Sequence, residues 1–189
     1  MTRLQSSGPG RSRRRQRAQA LVEFAITSPF LLLLLAGSID FGMGYSARLE
    51  IANAARVGAR WASLHSGDVH SGWSASASPA ENTIQGQIIY AGDTRAIVND
   101  DSHIVIKYYQ WQQGTTTTTY CGKYSQASDG FVGAAKSGGG TYTQSQCVAV
   151  GNVVQVSVYY DYPVLTPLFN MLYGPTLSIG SQGSFVIQS

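Results

Sequence analysis

Residues Ala18 to Gly44 read AQALVEFAITSPFLLLLLAGSIDFGMG, and this stretch decides the architecture. Between Ala20 and Ile39 the only charged side chain is Glu23, and Leu31 to Leu35 form an unbroken leucine run. About 20 apolar residues in a helix span the roughly 30 Å hydrocarbon core of a bilayer. Residues 1 to 19 carry six arginines (Arg3, Arg11, Arg13, Arg14, Arg15, Arg17) and no acid. A basic cluster directly before an apolar span stays cytoplasmic. The expected topology is a cytoplasmic N-terminus, one transmembrane helix over 19–44, and an extracytoplasmic domain over 45–189.

Charge follows the same division. The formal net charge is +3, but the first 19 residues alone are +6. The remainder holds seven basic and ten acidic side chains, a balance of −3. The arginine cluster could serve nucleic acid, but its position against the span favours a topological role, so no nucleic-acid partner is expected. Charged residues make up 12% of the chain, about half the globular average of about 25%. The two cysteines, Cys121 and Cys147, both fall outside under this topology, where disulfides persist. Closing that loop should remove unfolded-chain entropy equivalent to roughly 3–4 kcal/mol. Two unlinked thiols are the competing reading.

Working outward, the helical pattern runs on through YSARLEIANAARVGARWASL, residues 45–64, giving a helix of roughly 70 Å from Ala18 to Leu64. Pro29 should kink its inner half. Ser38, Gly42 and Ser46 are spaced by four, as are Ala54, Gly58 and Ala62. Such stripes let helix backbones approach closely. The outer stripe could equally pack against the protein's own sheet. In the other direction, residues up to about Arg13 lack apolar periodicity and are expected to be disordered.

Beyond a loop at 65–77, Ser78-Pro79-Ala80-Glu81 has the pattern of a capping box with Pro at the first helical position. It predicts a short helix from Pro79 to about Tyr90 that buries Ile84, Ile88 and Ile89 and ends at Gly92. Three strands follow, His103–Tyr109, Asn152–Tyr162 and Thr176 to about Gln188. Val154, Val156, Val158 and Tyr160 share one face of the second, and Leu177, Ile179, Phe185 and Ile187 one face of the third. Pro163, Pro167 and Pro175 forbid a regular strand between them. Residues 112–147, with Thr115 to Thr119 and Gly138 to Gly140, read as a surface excursion clipped by Cys121 and Cys147. The fold class is α+β, a long N-terminal transmembrane helix continuing into a domain with a small antiparallel sheet.

Catalytic patterns are missing from the sequence. Lys136-Ser137 ends like a phosphate-binding loop, but Ala135 stands where that motif demands Gly. His65, His70 and His103 have no metal-ligand spacing with the cysteines. Asp100-Asp101 reads as a solvated turn. The expectation is a protein that is no enzyme, with no cofactor, no metal and no small-molecule substrate.

Glu23 is then the residue to explain. A carboxylate in hydrocarbon is costly and functional by default, although near the inner interface it could simply reach water. Asp40, near the outer interface, is expected to meet headgroups and water. The run RRRQRAQALVEFA resembles a class III signal peptide, the basic leader of type IV pilin-like proteins. That resemblance implies cleavage by a prepilin peptidase between Ala18 and Gln19, which places Glu23 fifth in the mature chain. The family usually has Gly where Ala18 stands.

More specifically, the chain resembles the TadE-like proteins, pseudopilins of the tight-adherence (Tad/Flp) pilus. ALVEFAITSPFLLLLLAGSIDFG, IANAARVGARWAS and the closing VSVYYDYPVLTPLFNMLYGPTLSIGSQGSFVIQS carry the resemblance, within Arg13–Ser63 and Val154–Ser189. It implies a minor pseudopilin in the bacterial cytoplasmic membrane, acting in pilus assembly and adhesion. Its implied partners are the membrane, the prepilin peptidase, other Tad pilins and pseudopilins, and pilus-assembly membrane proteins. Glu23 would meet a neighbouring subunit's N-terminal amine. The rival is a stand-alone anchored binding module outside any pilus.

Overall fold

A computed structural model describes residues 10–65, 73–92, 97–111, 118–166, 170–171 and 174–188, with side chains from residue 18 onward. Helix α1 (Gly10–Leu64) is a single 55-residue element that carries Pro29 in its interior. At 1.5 Å per residue it is about 80 Å long. It begins earlier than expected, since Gly10 to Arg13 are already helical. Arginine is a good helix former, and residues 11 to 17 hold neither Gly nor Pro to stop propagation from the apolar segment.

The two halves of α1 live in different surroundings. Leu21, Phe24, Phe30, Leu31 to Leu35 and Ile39 are all exposed. A helix apolar all round and uncovered by its own protein is suited to lipid. From Ala47 the pattern changes: Ala47, Ile51, Ala54, Ala55, Ala59 and Ala62 are buried at helical spacing. These small side chains let the sheet and α2 (Ile84–Ala91) lie close against the helix.

The sheet has five antiparallel strands: β1 (Ile104–Trp111), β2 (Thr118–Ser125), β3 (Gly130–Gly133), β4 (Val153–Pro163) and β5 (Thr176–Val186). Their spatial order is β3-β2-β1-β4-β5. Val154, Val156 and Val158 of β4 are fully buried, opposite Tyr108, Ile106 and Ile104 of β1. In β5 the expected phase holds, and Ile187 just beyond it is buried, but Leu177 and Phe185 remain exposed. Gly183 takes the central position, where a Cβ would come within 2.7 Å of the Ala55 carbonyl oxygen. The Gln188 N–H bonds the Ser63 carbonyl, and Tyr162 reaches Asp40 at the other end. The outer half of α1 thus matches the length of β4 and β5, which run alongside it.

Two expectations are corrected. Residues 112–147 are no loose excursion: they supply β2, β3 and a short helix, α3 (Gln144–Cys147), to the body of the domain, with 112–117 outside the described residues. The short helix starts at Ile84 rather than Pro79, capped by the Thr83 hydroxyl, which accepts from the Gly86 N–H at 3.0 Å. Residues 80–83 form a turn instead, closed by the Thr83 N–H on the Ala80 carbonyl. Thr83 can cap while burying Ile84 at once, which a start at Pro79 cannot do. Gly92 ends α2 as expected, and Ile89 is only half-buried.

Candidate anchoring and assembly site

Ala18, Gln19 and Glu23 lie along α1, all exposed. Around Glu23 the helix presents Leu21, Val22, Phe24 and Ile26, likewise exposed. Thr27 folds its hydroxyl back onto the Glu23 carbonyl at 2.9 Å, which removes a donor from an apolar surface. The Glu23 side chain is thereby the one acidic group on a long uncovered apolar helix surface. A carboxylate so placed in lipid needs a cationic or hydrogen-bonding partner from another molecule.

Asp40 overturns its expectation. It is only 7% exposed, and its carboxylate is taken up by the protein's own hydrogen-bond donors. Its Oδ1 accepts from the Tyr162 hydroxyl at 2.9 Å and from the Leu165 N–H at 3.4 Å. Its Oδ2 accepts from the Thr166 hydroxyl at 2.8 Å and the Thr166 N–H at 3.1 Å. Tyr162 is itself buried near the end of β4, and Pro163 then ends the strand and leads into the segment whose N–H groups meet the carboxylate. Phe41, Met43 and Tyr45 beside Asp40 are exposed. The cluster therefore pins the base of the domain where the uncovered apolar surface of α1 gives way to the buried one. An aspartate five residues after a leucine run carried no sequence signal of this, because its partners lie 122 to 126 positions away.

The small-residue stripes part company. Ala54, Gly58 and Ala62 are buried inside the protein's own domain. A Cβ on Gly58 would run into the Ile88 side chain of α2 and lie 3.6 Å from Cγ1 of Val156. Ser38, Gly42 and Ser46 are exposed, and nothing stands within 4 Å of a Cβ built on Gly42. Ser38 donates its hydroxyl to the Leu34 carbonyl, and Ser46 donates to Glu50.

Cys121 and Cys147 are bonded to each other, both fully buried, with Cα atoms 5.6 Å apart. Cys121 lies inside β2 and Cys147 ends α3, so the bridge ties the sheet to the segment before β4. The Asn152 amide reinforces the joint by donating to the carbonyls of Gln146 and Cys147.

Asp100 and Asp101 organise the entry to β1. Asp100 accepts from the Ser102 hydroxyl and N–H and from the His103 N–H, and its carboxylate pairs with the His103 ring at 2.8 Å. Burial pushes this carboxyl up, but the bonds from Ser102 and His103 outweigh it and hold it at about 2. Burial lowers the His103 imidazole, while Asp100 and, at 3.4 Å, Asp161 raise it above its ordinary value. Asp101 accepts from the Ser125 hydroxyl and Gln126 N–H, fastening the β2–β3 turn. These contacts explain the pair as structural. Among the described residues no group of three or more His, Cys, Asp or Glu is arranged to hold a metal ion.

Residues 18–60 match the family model described as TadE-like protein. The match covers the apolar span and most of the outer half of α1. No curated protein and no solved structure matches the chain.

Proposed function

We propose that this chain is a minor pseudopilin of a Tad-type pilus, a non-catalytic assembly subunit anchored in the bacterial cytoplasmic membrane by α1. The observation that carries the reading is the uncovered apolar half of α1 with one acid, Glu23, inside the stretch that matches the TadE-like family. Pairing Glu23 with a neighbour's amine would remove the cost of a lone carboxylate in lipid. The Asp40 cluster supports the same role, since a domain locked to its helix transmits the helix's position to the head. In this proposal the six leader arginines stay cytoplasmic, the disulfide-linked domain faces outward, and a prepilin peptidase cleaves between Ala18 and Gln19.

Mass spectrometry of the chain purified from its own membrane tests the processing step. A mature N-terminus at Gln19, in material that co-fractionates with pilus-assembly proteins, is the expected result. An intact Met1, with no co-fractionating pilus component, would instead favour a stand-alone anchored module.

A further inference from the structure

We infer that the open face of the sheet carries a binding site for carboxylate-bearing oligosaccharide, centred on Lys107 and Lys123. The helix-facing side of the sheet is covered by α1 and by the core. The other side bears Trp111, 51% exposed, and Tyr120, 39% exposed. On it, Lys107 of β1 stands directly opposite Lys123 of β2. These are two of only three charged residues in the five strands, the third being Asp161. Like charges directly opposite across a ladder repel. Among the described residues neither lysine forms a contact ion pair; the carboxylate of Asp101, held by Ser125 and Gln126, attracts Lys123 from a longer distance. Two lysines set opposite each other across the ladder, on the face that bears the exposed Trp111 and Tyr120, are complementary to an anionic ligand that reaches both.

The neighbouring groups say which anion. One step along β1, Tyr109 packs edge-on against Tyr120 with ring centres 5.8 Å apart, and alternation puts Trp111 on the same face. Across from Lys107, Gln155 accepts from the Tyr109 hydroxyl at 3.1 Å and donates to Gln182 at 3.3 Å. Exposed flat rings beside fixed amides suit the apolar faces and hydroxyls of sugar rings, and the lysines suit their carboxylates. A pleated face offers no free main-chain groups with which an acidic peptide could pair, unlike a sheet edge. A lipid headgroup is out of reach. Lys107 lies beside the Val156 register, level with Gly58, which is about 27 Å along α1 from Asp40. This site is independent of whether the chain enters a fibre.

The test is a titration of the full chain in nanodiscs of neutral lipid with trigalacturonate, maltotriose and triglutamate, followed by tryptophan fluorescence and calorimetry. Trp111 reports the site, whereas the leader arginines have no tryptophan nearby in sequence. Trigalacturonate should bind saturably, at least tenfold more tightly than maltotriose or triglutamate. Lys107→Gln/Lys123→Gln should weaken it at least tenfold while changing the melting temperature little, since the repulsion it relieves is set against the lost attraction of Asp101 for Lys123. Trp111→Phe should abolish the fluorescence change and leave calorimetric binding detectable. Equal binding of triglutamate would reduce the site to charge alone, and equal binding of maltotriose would remove the lysines from it. Either result overturns the inference, as does an unchanged affinity in the double lysine variant or no binding by either method.

Discussion

Asp40 shows how much one side chain can hold. Replacing it with Leu leaves the Thr166 hydroxyl and the N–H groups of Leu165 and Thr166 without their carboxylate acceptor, and reduces the Tyr162 hydroxyl to its longer 3.4 Å bond to the residue-40 carbonyl. Each buried donor left unsatisfied costs about 1–3 kcal/mol. Asp40→Leu should therefore insert into membranes normally, yet melt its domain well below wild type, read by near-ultraviolet circular dichroism in detergent. Tyr162→Phe removes one donor and keeps the carboxylate's other partners, so it should cost about 1 kcal/mol. Equal losses for the two variants would mean that Asp40 is not the hub. A second residue-scale expectation concerns pH. His103 is raised in the folded state, so its contribution is full below its unfolded value of 6.5 and is lost as pH rises through the folded value. Asp100 is depressed to about 2, so its contribution is present above 3.8 and is lost as pH falls towards 2. Together they place the pair's maximum between about pH 4 and pH 6.5. His103→Gln should flatten the fall in stability above that window, followed by denaturant midpoints from pH 5 to 9. An unchanged slope would assign it to other groups.

At the scale of elements, Gly58 and the disulfide make opposite demands on α1 and the sheet. A Cβ at Gly58 would strike Ile88 and meet Val156, so Gly58→Leu has to push α2 away from the helix. Overpacking of this kind costs about 1–3 kcal/mol, and Ile88→Ala in the same chain should recover part of it. A loss in Gly58→Leu that Ile88→Ala does not reduce would locate the strain elsewhere. For the bridge, Cys121→Ser/Cys147→Ser should cost about 2–5 kcal/mol, and the loss should reach β1 and β4 in hydrogen exchange because Cys121 sits within the sheet. The sequence made this hard to see. β1, β4 and β5 announce themselves by alternation, and each lies within two residues of its expected position at both ends. β2 does not, because its register against β1 shifts between Tyr108 and Tyr109, which breaks the period around Cys121 and Gly122. The short β3 has two glycines among its four residues, and Gly133 is required because a Cβ there would meet the Tyr142 backbone. Gly122 and Gly133 are thus there for close packing, whereas Gly138 to Gly140 stand in open space, with Gly139 and Gly140 at positive φ as loop composition suggests. The start of α2 was hidden by a rival signal, the Ser78–Glu81 pattern, which competes with the better-buried Thr83 cap.

The whole molecule joins an uncovered apolar helix that carries Glu23 to a domain built on that helix's continuation. The span, the leader charge and the family resemblance were all legible because they depend on local composition. The Asp40 cluster was not, since it exists only once residues 122 to 126 positions apart meet. That difference makes Glu23 and Asp40 separable by mutation. Hydrophobicity alone drives insertion, so Glu23→Leu should insert at least as well as wild type. Glu23 is exposed and far along α1 from the domain, so the head should melt like wild type, in contrast to Asp40→Leu. If Glu23 neutralises a neighbour's amine, the variant leaves that amine unpaired in an apolar bundle. Breaking a buried pair in this way costs about 3–5 kcal/mol, a loss of roughly two to four decades in association. Glu23→Leu should then fail to crosslink to pilus subunits and fail to support fibres while remaining membrane-bound and folded. Ala18→Gly should act the opposite way, speeding removal of residues 1–18, because Gly is the usual residue at that junction in the pilin-like proteins the leader resembles. The two variants are read together, with the mature N-terminus determined in each, since uncut chains have no free amine at Gln19 to pair. Wild-type assembly by Glu23→Leu, in cells where cleavage after Ala18 is demonstrated, would make Glu23 an interfacial residue and remove the pairing mechanism.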